Sequence, residues 1–198
     1  MIFKALRSDL GVEDSAFDDL YPTNIKILGQ RHWTPVDVAK KAAKYLVQHP
    51  KDKILDIGAG AGKFCLVGAA CTEGMFYGVE QRESLVEISN GIAQKHQIDN
   101  VEFIHANINQ ISFSDYDAFY FYNSFYENID TTCPIDHSIL PNQELYHIYT
   151  EYLRQQLKQL PIGTRIVSYW SGWDEIPTSF DLEQTACRGL LNFWKKII

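Results

Sequence analysis

Apolar and polar positions along the chain alternate between short apolar runs and longer amphipathic stretches. Residues 53–57 carry Ile54, Leu55 and Ile57, the near-continuous apolar run of a parallel strand covered on both faces. Similar runs at 75–79, 101–105, 117–123 and 164–170 predict four more strands, and the fourth of the five is dense in aromatics. Helical spacing separates them. Val36, Val38, Ala39, Ala42, Ala43 and Leu46 make an apolar face over residues 35–48, which Pro50 ends. Leu85, Ile88 and Ile92 share a face over 82–95. Leu145, Ile148, Tyr149, Tyr152, Leu153, Leu157 and Leu160 do so in a long helix stopped by Pro161 and Gly163. Residues 180–186 and 190–194 read as two strands joined through Arg188-Gly189, too tightly for any pairing but antiparallel. Residues 1–30 are polar and irregular, with one short helical candidate at 15–20, and are set apart as an N-terminal extension and possible lid. The domain proper is 31–198. Thr34 is expected to cap the helix that follows it, with Pro35 in its first turn and Asp37 as a capping-box partner.

A length of 198 residues suits one core, and 45% apolar with 22% charged residues is ordinary for a soluble globular chain. No apolar run approaches a membrane span and the N-terminus lacks the apolar core of a signal peptide, so the expected place is the cytoplasm. Cys65, Cys71, Cys133 and Cys187 show no paired metal spacing. They are expected as reduced thiols, mostly in the core, and no metal site is expected. A net charge of -7 argues mildly against an extended nucleic-acid surface and fits a small substrate or a basic protein better.

Chemistry concentrates where the first strand ends. Gly58, Gly60 and Gly62 follow it at once, allowing a tight turn, close ligand approach and close helix–strand packing. The second strand ends in Glu80, an acid placed to take both hydroxyls of a ribose. Together these predict a nucleoside-type cofactor. Asp56, just before the glycines, repels a pyrophosphate but suits an ammonium, which favours S-adenosylmethionine over NAD. The run Asp56-Ile-Gly-Ala-Gly-Ala-Gly62 and the segment Gly78-Val-Glu80 resemble the first two motifs of the class I S-adenosylmethionine-dependent methyltransferases. The resemblance covers about residues 30–198. It implies a three-layer, Rossmann-like α/β fold with a seven-stranded, mostly parallel sheet of order 3-2-1-4-5-7-6 and an antiparallel last strand. The connection after the fifth strand is too short for that family's full crossover helix. The family also implies that Gln81 lies beside the cofactor and that Asn107, at the third strand's tip, meets the adenine amino group. The segment Trp33-Thr34-Pro35 resembles an aromatic-Thr-Pro stretch that contacts the methionine carboxylate in some amino-methyltransferases, which makes Thr34 either a cap or a cofactor contact.

Acceptor chemistry is expected at the fourth strand's tip, Asn123 to Glu127, where ligands gather in open α/β sheets. Asn123 can orient an amine lone pair, Tyr126 can wall the pocket with Trp33 and Phe125, and Glu127 is either a proton acceptor or a solvated loop charge. Tyr120 and Tyr122 need hydroxyl partners if buried. His105 reads as structural. Asn123 and Tyr126 match the ends of an Asn/Asp-Pro-Pro-aromatic motif of amino-methyltransferases, with Ser124 and Phe125 in place of the prolines. Asn123-Ser124-Phe125, Gly163-Thr-Arg-Ile-Val-Ser168 and Tyr77-Gly-Val-Glu80 are similar to segments of the non-SET histone-lysine methyltransferases. These resemblances imply a methyltransferase acting on a protein side chain or small-molecule amine. A nucleic-acid amino-methyltransferase and a non-catalytic module that binds S-adenosylmethionine are the alternatives.

Overall fold

The computed structural model describes residues 1–130, 132, 134–136, 138–171 and 175–198; Cys133 and part of the short connection after the fifth strand lie outside these. Seven strands form one sheet: β1 (Lys53–Ile57), β2 (Met75–Glu80), β3 (Val101–His105), β4 (Ala118–Tyr122), β5 (Arg165–Tyr169), β6 (Phe180–Ala186) and β7 (Leu191–Lys196). Their order is β3-β2-β1-β4-β5-β7-β6, as the resemblance implies. β1 to β5 run parallel, and β7 is antiparallel to both β5 and β6. The turn into β7 holds Cys187, Arg188 and Gly189 all at positive φ. Eight helices are described: α1 (Ile2–Arg7), α2 (Asp14–Asp18), α3 (Thr23–Lys26), α4 (Gly29–His32), α5 (Val36–Leu46), α6 (Lys63–Cys71), α7 (Glu83–Lys95) and α8 (Gln143–Gln159).

The sheet has a core on each face. Ile54, Phe76, Tyr120 and Val167 point to the face covered by α1, α5, α6 and α7. Leu55, Ile57, Phe119, Phe121 and Ile166 point the other way, onto Phe113 and the α8 residues Tyr149, Leu153 and Leu157. Ile148, assigned by spacing to the buried side of α8, is instead 45% exposed. Among the described residues no α-helix lies between β5 and β6, in line with the short connection, and no helix is long and apolar enough to cross a membrane. Cys65 is buried, while Cys71 and Cys187 are half-buried free thiols.

The first thirty residues differ from the irregular stretch expected. They form α1 to α4 and bury Phe3, Leu6, Phe17 and Tyr21 in the main core. The helical candidate at 15–20 is α2, shifted to Asp14–Asp18; the other three, of four to six residues, are too short for a 3.6-residue period to show. An ion cluster fastens them down. Lys63, first residue of α6, is 4% exposed and donates to Asp14 Oδ1 at 2.7 Å and Asp18 Oδ1 at 2.6 Å, both from α2. Its ammonium also lies 5.5 Å from the Phe17 ring centroid and 5.7 Å from that of Trp33. Asp14 Oδ1 further accepts the Val36 N–H at 2.9 Å, so the cap of α5 comes from α2. The capping box expected at Thr34 is absent: Pro35 is the N-cap, and the buried Thr34 hydroxyl pairs with Tyr120 OH at 2.7 Å. Tyr122 OH finds its partner in the Arg31 carbonyl at 2.9 Å.

Asp56 is on the α6 side of β1, 3% exposed, and among the described residues accepts from the Cys65 thiol alone, at 3.4 Å. Burial pushes its carboxyl up from 3.8 to about 7, and the nearby Glu80 charge adds to the rise.

Two stability predictions follow from these buried charges. Changing Asp14 and Asp18 together to Asn leaves the Lys63 ammonium buried among neutral groups and costs about 3 kcal/mol, less than a wholly buried pair because Asp14 is half-exposed; Lys63→Met, which removes the charge itself, costs much less. Urea denaturation of the three proteins measures both. For Asp56, the folded chain keeps a proton between pH 3.8 and about 7 that the unfolded chain has lost, so its contribution to stability falls as pH rises through that window. Asp56→Asn removes this slope and gains about 2–3 kcal/mol on the parent between roughly pH 5 and pH 8, read from thermal melts at both ends.

Candidate active site

The strand order reverses between β1 and β4, and a cavity of about 550 Å³ opens beyond the C-terminal ends of the strands there. Its wall brings together Gly58, Gly60, Glu80, Gln81, Asn107, Asn123, Tyr126 and Glu127 of the predicted residues, with the rings of Trp33 and Phe125. Thr34, Asp56 and Gly62 are buried and do not line it. Thr34 is engaged by Tyr120 and Asp56 faces Cys65, so of the roles expected for them neither the cap at Thr34 nor a side chain on the cavity wall is seen, and a contact of Asp56 through water stays an expectation.

Glu80 holds the glycine turn to the tip of β2. Its Oε2 accepts the Gly60 N–H at 3.0 Å and its Oε1 the Arg82 N–H at 2.8 Å. Burial raises its pKa, while the two N–H donors and the Arg82 charge pull the other way. Each oxygen keeps lone pairs beyond these two bonds, enough to accept from a vicinal diol. Gly60 sits at φ +54°, and a Cβ there would meet nothing within 4 Å, because the position faces the cavity. A Cβ at Gly62 would strike the Phe103 ring at 2.4 Å, so that glycine serves the packing of α6 on the sheet. Acid, bare turn and polar β3 tip form a donor and acceptor set that fits the nucleoside part of S-adenosylmethionine. Asn107 is already engaged at both ends: Nδ2 donates to Tyr149 OH at 2.5 Å and Oδ1 accepts the Asn109 N–H at 3.3 Å. An adenine therefore meets whatever capacity those bonds leave. His105 pairs with the Gln81 carbonyl at 3.2 Å, a structural contact.

Sequence reasoning missed Arg82. Its side chain is 2% exposed and its guanidinium holds Glu127 in a two-point pair, Nη1 to Oε1 at 3.1 Å and Nη2 to Oε2 at 2.6 Å. Nε reaches Asp136 Oδ1 at 3.1 Å, and Glu80 Oε1 lies 3.7 Å from Nη1. Gln81 Nε2 also donates to Glu127, at 3.0 Å. Glu127 is thus a paired charge held at both oxygens, and not the solvated loop charge that was one of its two expected roles. A signal existed: Arg82 is the N-cap residue of α7, where the helix dipole disfavours a cation, so its place needs another cause.

Asn123 lies at φ +46°, a conformation rare outside glycine. Its N–H donates to Ser171 Oγ at 2.9 Å and its carbonyl accepts the Tyr126 N–H at 3.1 Å. Ser124 packs against Gly58 and its hydroxyl donates to the Ile57 carbonyl. Phe125 is buried against Phe121 and Tyr149, while Tyr126 is 43% exposed at the mouth.

A methyltransferase domain family matches residues 48–160, more than half of the chain. Over 56 residues the chain is 45% identical to a tRNA (guanine-N(7)-)-methyltransferase of Synechococcus sp. (strain JA-2-3B'a(2-13)), a match covering 28% of this chain and 23% of that protein. The same enzyme of strain JA-3-3Ab matches equally, over 24% of its length. The chain therefore spans less than a quarter of the curated relatives it matches. Among solved structures, TrmN from Thermus thermophilus superposes with a TM-score of 0.59 at 16% identity, covering 85% of this chain and 51% of that one. An RNA methyltransferase from Salinibacter ruber in complex with S-adenosyl-L-homocysteine gives 0.55 at 20%, covering 83% and 92%. None of these relatives is a histone-lysine methyltransferase, and the likeness at Asn123-Ser124-Phe125 stays one of sequence. With the seven-stranded order, the glycine turn and the acid of β2 all in register with that match, the chain belongs to the methyltransferase domain family and has its Rossmann-like, S-adenosylmethionine-binding fold.

Proposed function

We propose that the chain transfers a methyl group from S-adenosylmethionine to a nitrogen presented at the β4 tip. The observation that carries this is one cavity with the Gly60–Glu80 cradle on one wall and the Asn123–Tyr126 tip on another. When bound, the cofactor supplies an electrophilic methyl. The chain supplies position. Glu80 takes the ribose hydroxyls and the turn at Gly58 and Gly60 lets the backbone approach. Asn123 Oδ1 accepts an N–H of the acceptor and so aims the nitrogen lone pair, and the rings of Trp33, Phe125 and Tyr126 exclude water. Glu127, paired with Arg82, holds the tip beside the cofactor acid. Transfer breaks the S–CH3 bond of the cofactor and S-adenosyl-L-homocysteine leaves; where the acceptor nitrogen carries a proton in excess after methylation, it goes to solvent as the products depart.

The acceptor class has support on two sides. A protein or small-molecule amine fits the net charge of -7 and the acids Glu80, Glu127 and Asp130 on the cavity wall. A nucleic-acid base is supported by the names of the matched relatives and by the exposed ring at the mouth, and on that support we propose it ahead of the amine. The third alternative, a non-catalytic binding module, has less support, because the cradle and the tip share one cavity.

Transfer of tritiated methyl from S-adenosylmethionine onto tRNA, other RNA, DNA, protein and small-molecule fractions decides among these, with label expected in an RNA fraction. Label in no fraction, with cofactor binding intact, points to the binding module instead. For the cofactor itself, Glu80→Ala is expected to weaken S-adenosyl-L-homocysteine at least roughly tenfold in calorimetric titration, since a hydrogen-bonded charged partner contributes about 1.5–3 kcal/mol. A loss of less than twofold removes the ribose assignment.

A further inference from the structure

The C-terminal edge of the sheet carries an aromatic residue that none of the readings above uses. Trp170 follows β5 directly and lines the same cavity as Asn123 and Tyr126. It is 56% exposed, whereas Tyr169 before it is buried against Tyr122 with ring centroids 4.9 Å apart. Its backbone sits at φ +52°, a region that a bulky residue enters only when its surroundings force it. So one residue combines two unfavourable features, a strained backbone and an indole left out of the core, at the strand ends where ligands gather.

The surroundings show what holds it there. Trp170 N–H donates to the Leu190 carbonyl at 2.9 Å. Ser171 Oγ donates to the Tyr169 carbonyl at 3.1 Å and accepts the Asn123 N–H at 2.9 Å. One hydroxyl therefore bridges the tips of β4 and β5, and both tips hold a non-glycine residue in the left-handed region. The bridge fixes the backbone just before Trp170 relative to the backbone N–H of Asn123. Without it Trp170 gains by relaxing to an ordinary conformation and covering its ring.

From this placement we infer that Trp170 is the stacking platform of the acceptor site, and that the acceptor is a planar heteroaromatic ring of the nucleobase kind. A flat ring laid on the indole covers the exposed apolar surface, while Asn123 reads a polar edge of the same ring. An aliphatic ammonium can also sit over an indole, but it covers less of the ring and presents no planar polar edge for Asn123 to read. The inference rests on the methyltransferase reading and specifies its acceptor.

The test uses the full chain saturated with S-adenosyl-L-homocysteine, titrated with the four ribonucleoside 5′-monophosphates and with a short single-stranded RNA. Trp170→Ala is expected to weaken base binding about five- to hundredfold, the loss of one stacked base, and Trp170→Phe to stay within about threefold of the parent. Ser171→Ala should weaken it as well, by freeing the platform. S-adenosyl-L-homocysteine affinity should change by less than twofold in all three. Monophosphates binding as well as RNA identify a free nucleotide acceptor, and RNA alone a base within a strand. Unchanged base binding in Trp170→Ala, or no binding of any of these probes to the parent, overturns the inference. Failure of the parent to bind S-adenosyl-L-homocysteine at all is a different result and removes the methyltransferase reading beneath it.

Discussion

A buried carboxylate that accepts two backbone N–H groups is the constraint from which the site is built. Glu80 stands at the end of β2, and the groups it accepts come from Gly60, in the turn after β1, and from Arg82, at the start of α7. Three segments are set by one side chain. The arrangement needs the turn to bring its N–H inward, and Gly60 does so in a left-handed conformation that leaves open space where a side chain would otherwise stand. The acid is thus both the strut of the cradle and its ligand-facing group. Its desolvation is offset in part by these two donors and by a guanidinium 3.7 Å away.

Two cations placed against the helix dipole tie the remaining parts to that cradle. Lys63 begins α6 and Arg82 precedes α7, positions where positive charge is electrostatically unfavourable. Each is buried, and each is matched by carboxylates from a distant segment: Asp14 and Asp18 for Lys63, Glu127 and Asp136 for Arg82. The first pins the N-terminal helices beside the glycine turn, with Trp33 carried to the cavity wall. The second pins the β4 tip beside the ribose acid. Buried ion pairs of this kind add little net stability, because desolvation cancels most of the attraction. Their effect is geometric, since a guanidinium gripped at two points allows one arrangement of its partner.

The strands and the long helices were legible because their periods are long enough to show. β1, β3 and β6 fall at the expected residues, and α5, α7 and α8 differ from expectation only at their ends. The order of strands came from the likeness at the glycine turn and not from periodicity. What stayed hidden was made by tertiary contact. The helices of the first thirty residues are too short for a period, and depend on Phe3, Leu6, Phe17 and Tyr21 reaching a core built by later sequence. The cap of α5 comes from Asp14, distant in the chain, which no local motif can reveal. Thr34 carried a local cap signal, and Tyr120 on β4 took its hydroxyl instead. Arg82 and Lys63 were visible only as violations of a helix-terminus preference.

Strain at the tips of β4 and β5 gives the last step. Asn123 and Trp170 both adopt left-handed conformations that cost free energy in any L-residue with a Cβ, and Asn tolerates this better than Trp. At Asn123 the turn to Tyr126 accounts for the conformation, since the Asn123 carbonyl accepts the Tyr126 N–H. At Trp170 no comparable turn closes on the residue among the described contacts; its N–H reaches across to Leu190, and the residue stays 56% exposed. A strained conformation held by neighbours and not by the residue's own packing is the kind that clusters at ligand sites, which is what the platform proposal for Trp170 draws on. The cradle at Glu80 fixes the cofactor end of the cavity. The bridge at Ser171 fixes the other, because it links the amide of the polar tip to the carbonyl just before the exposed ring.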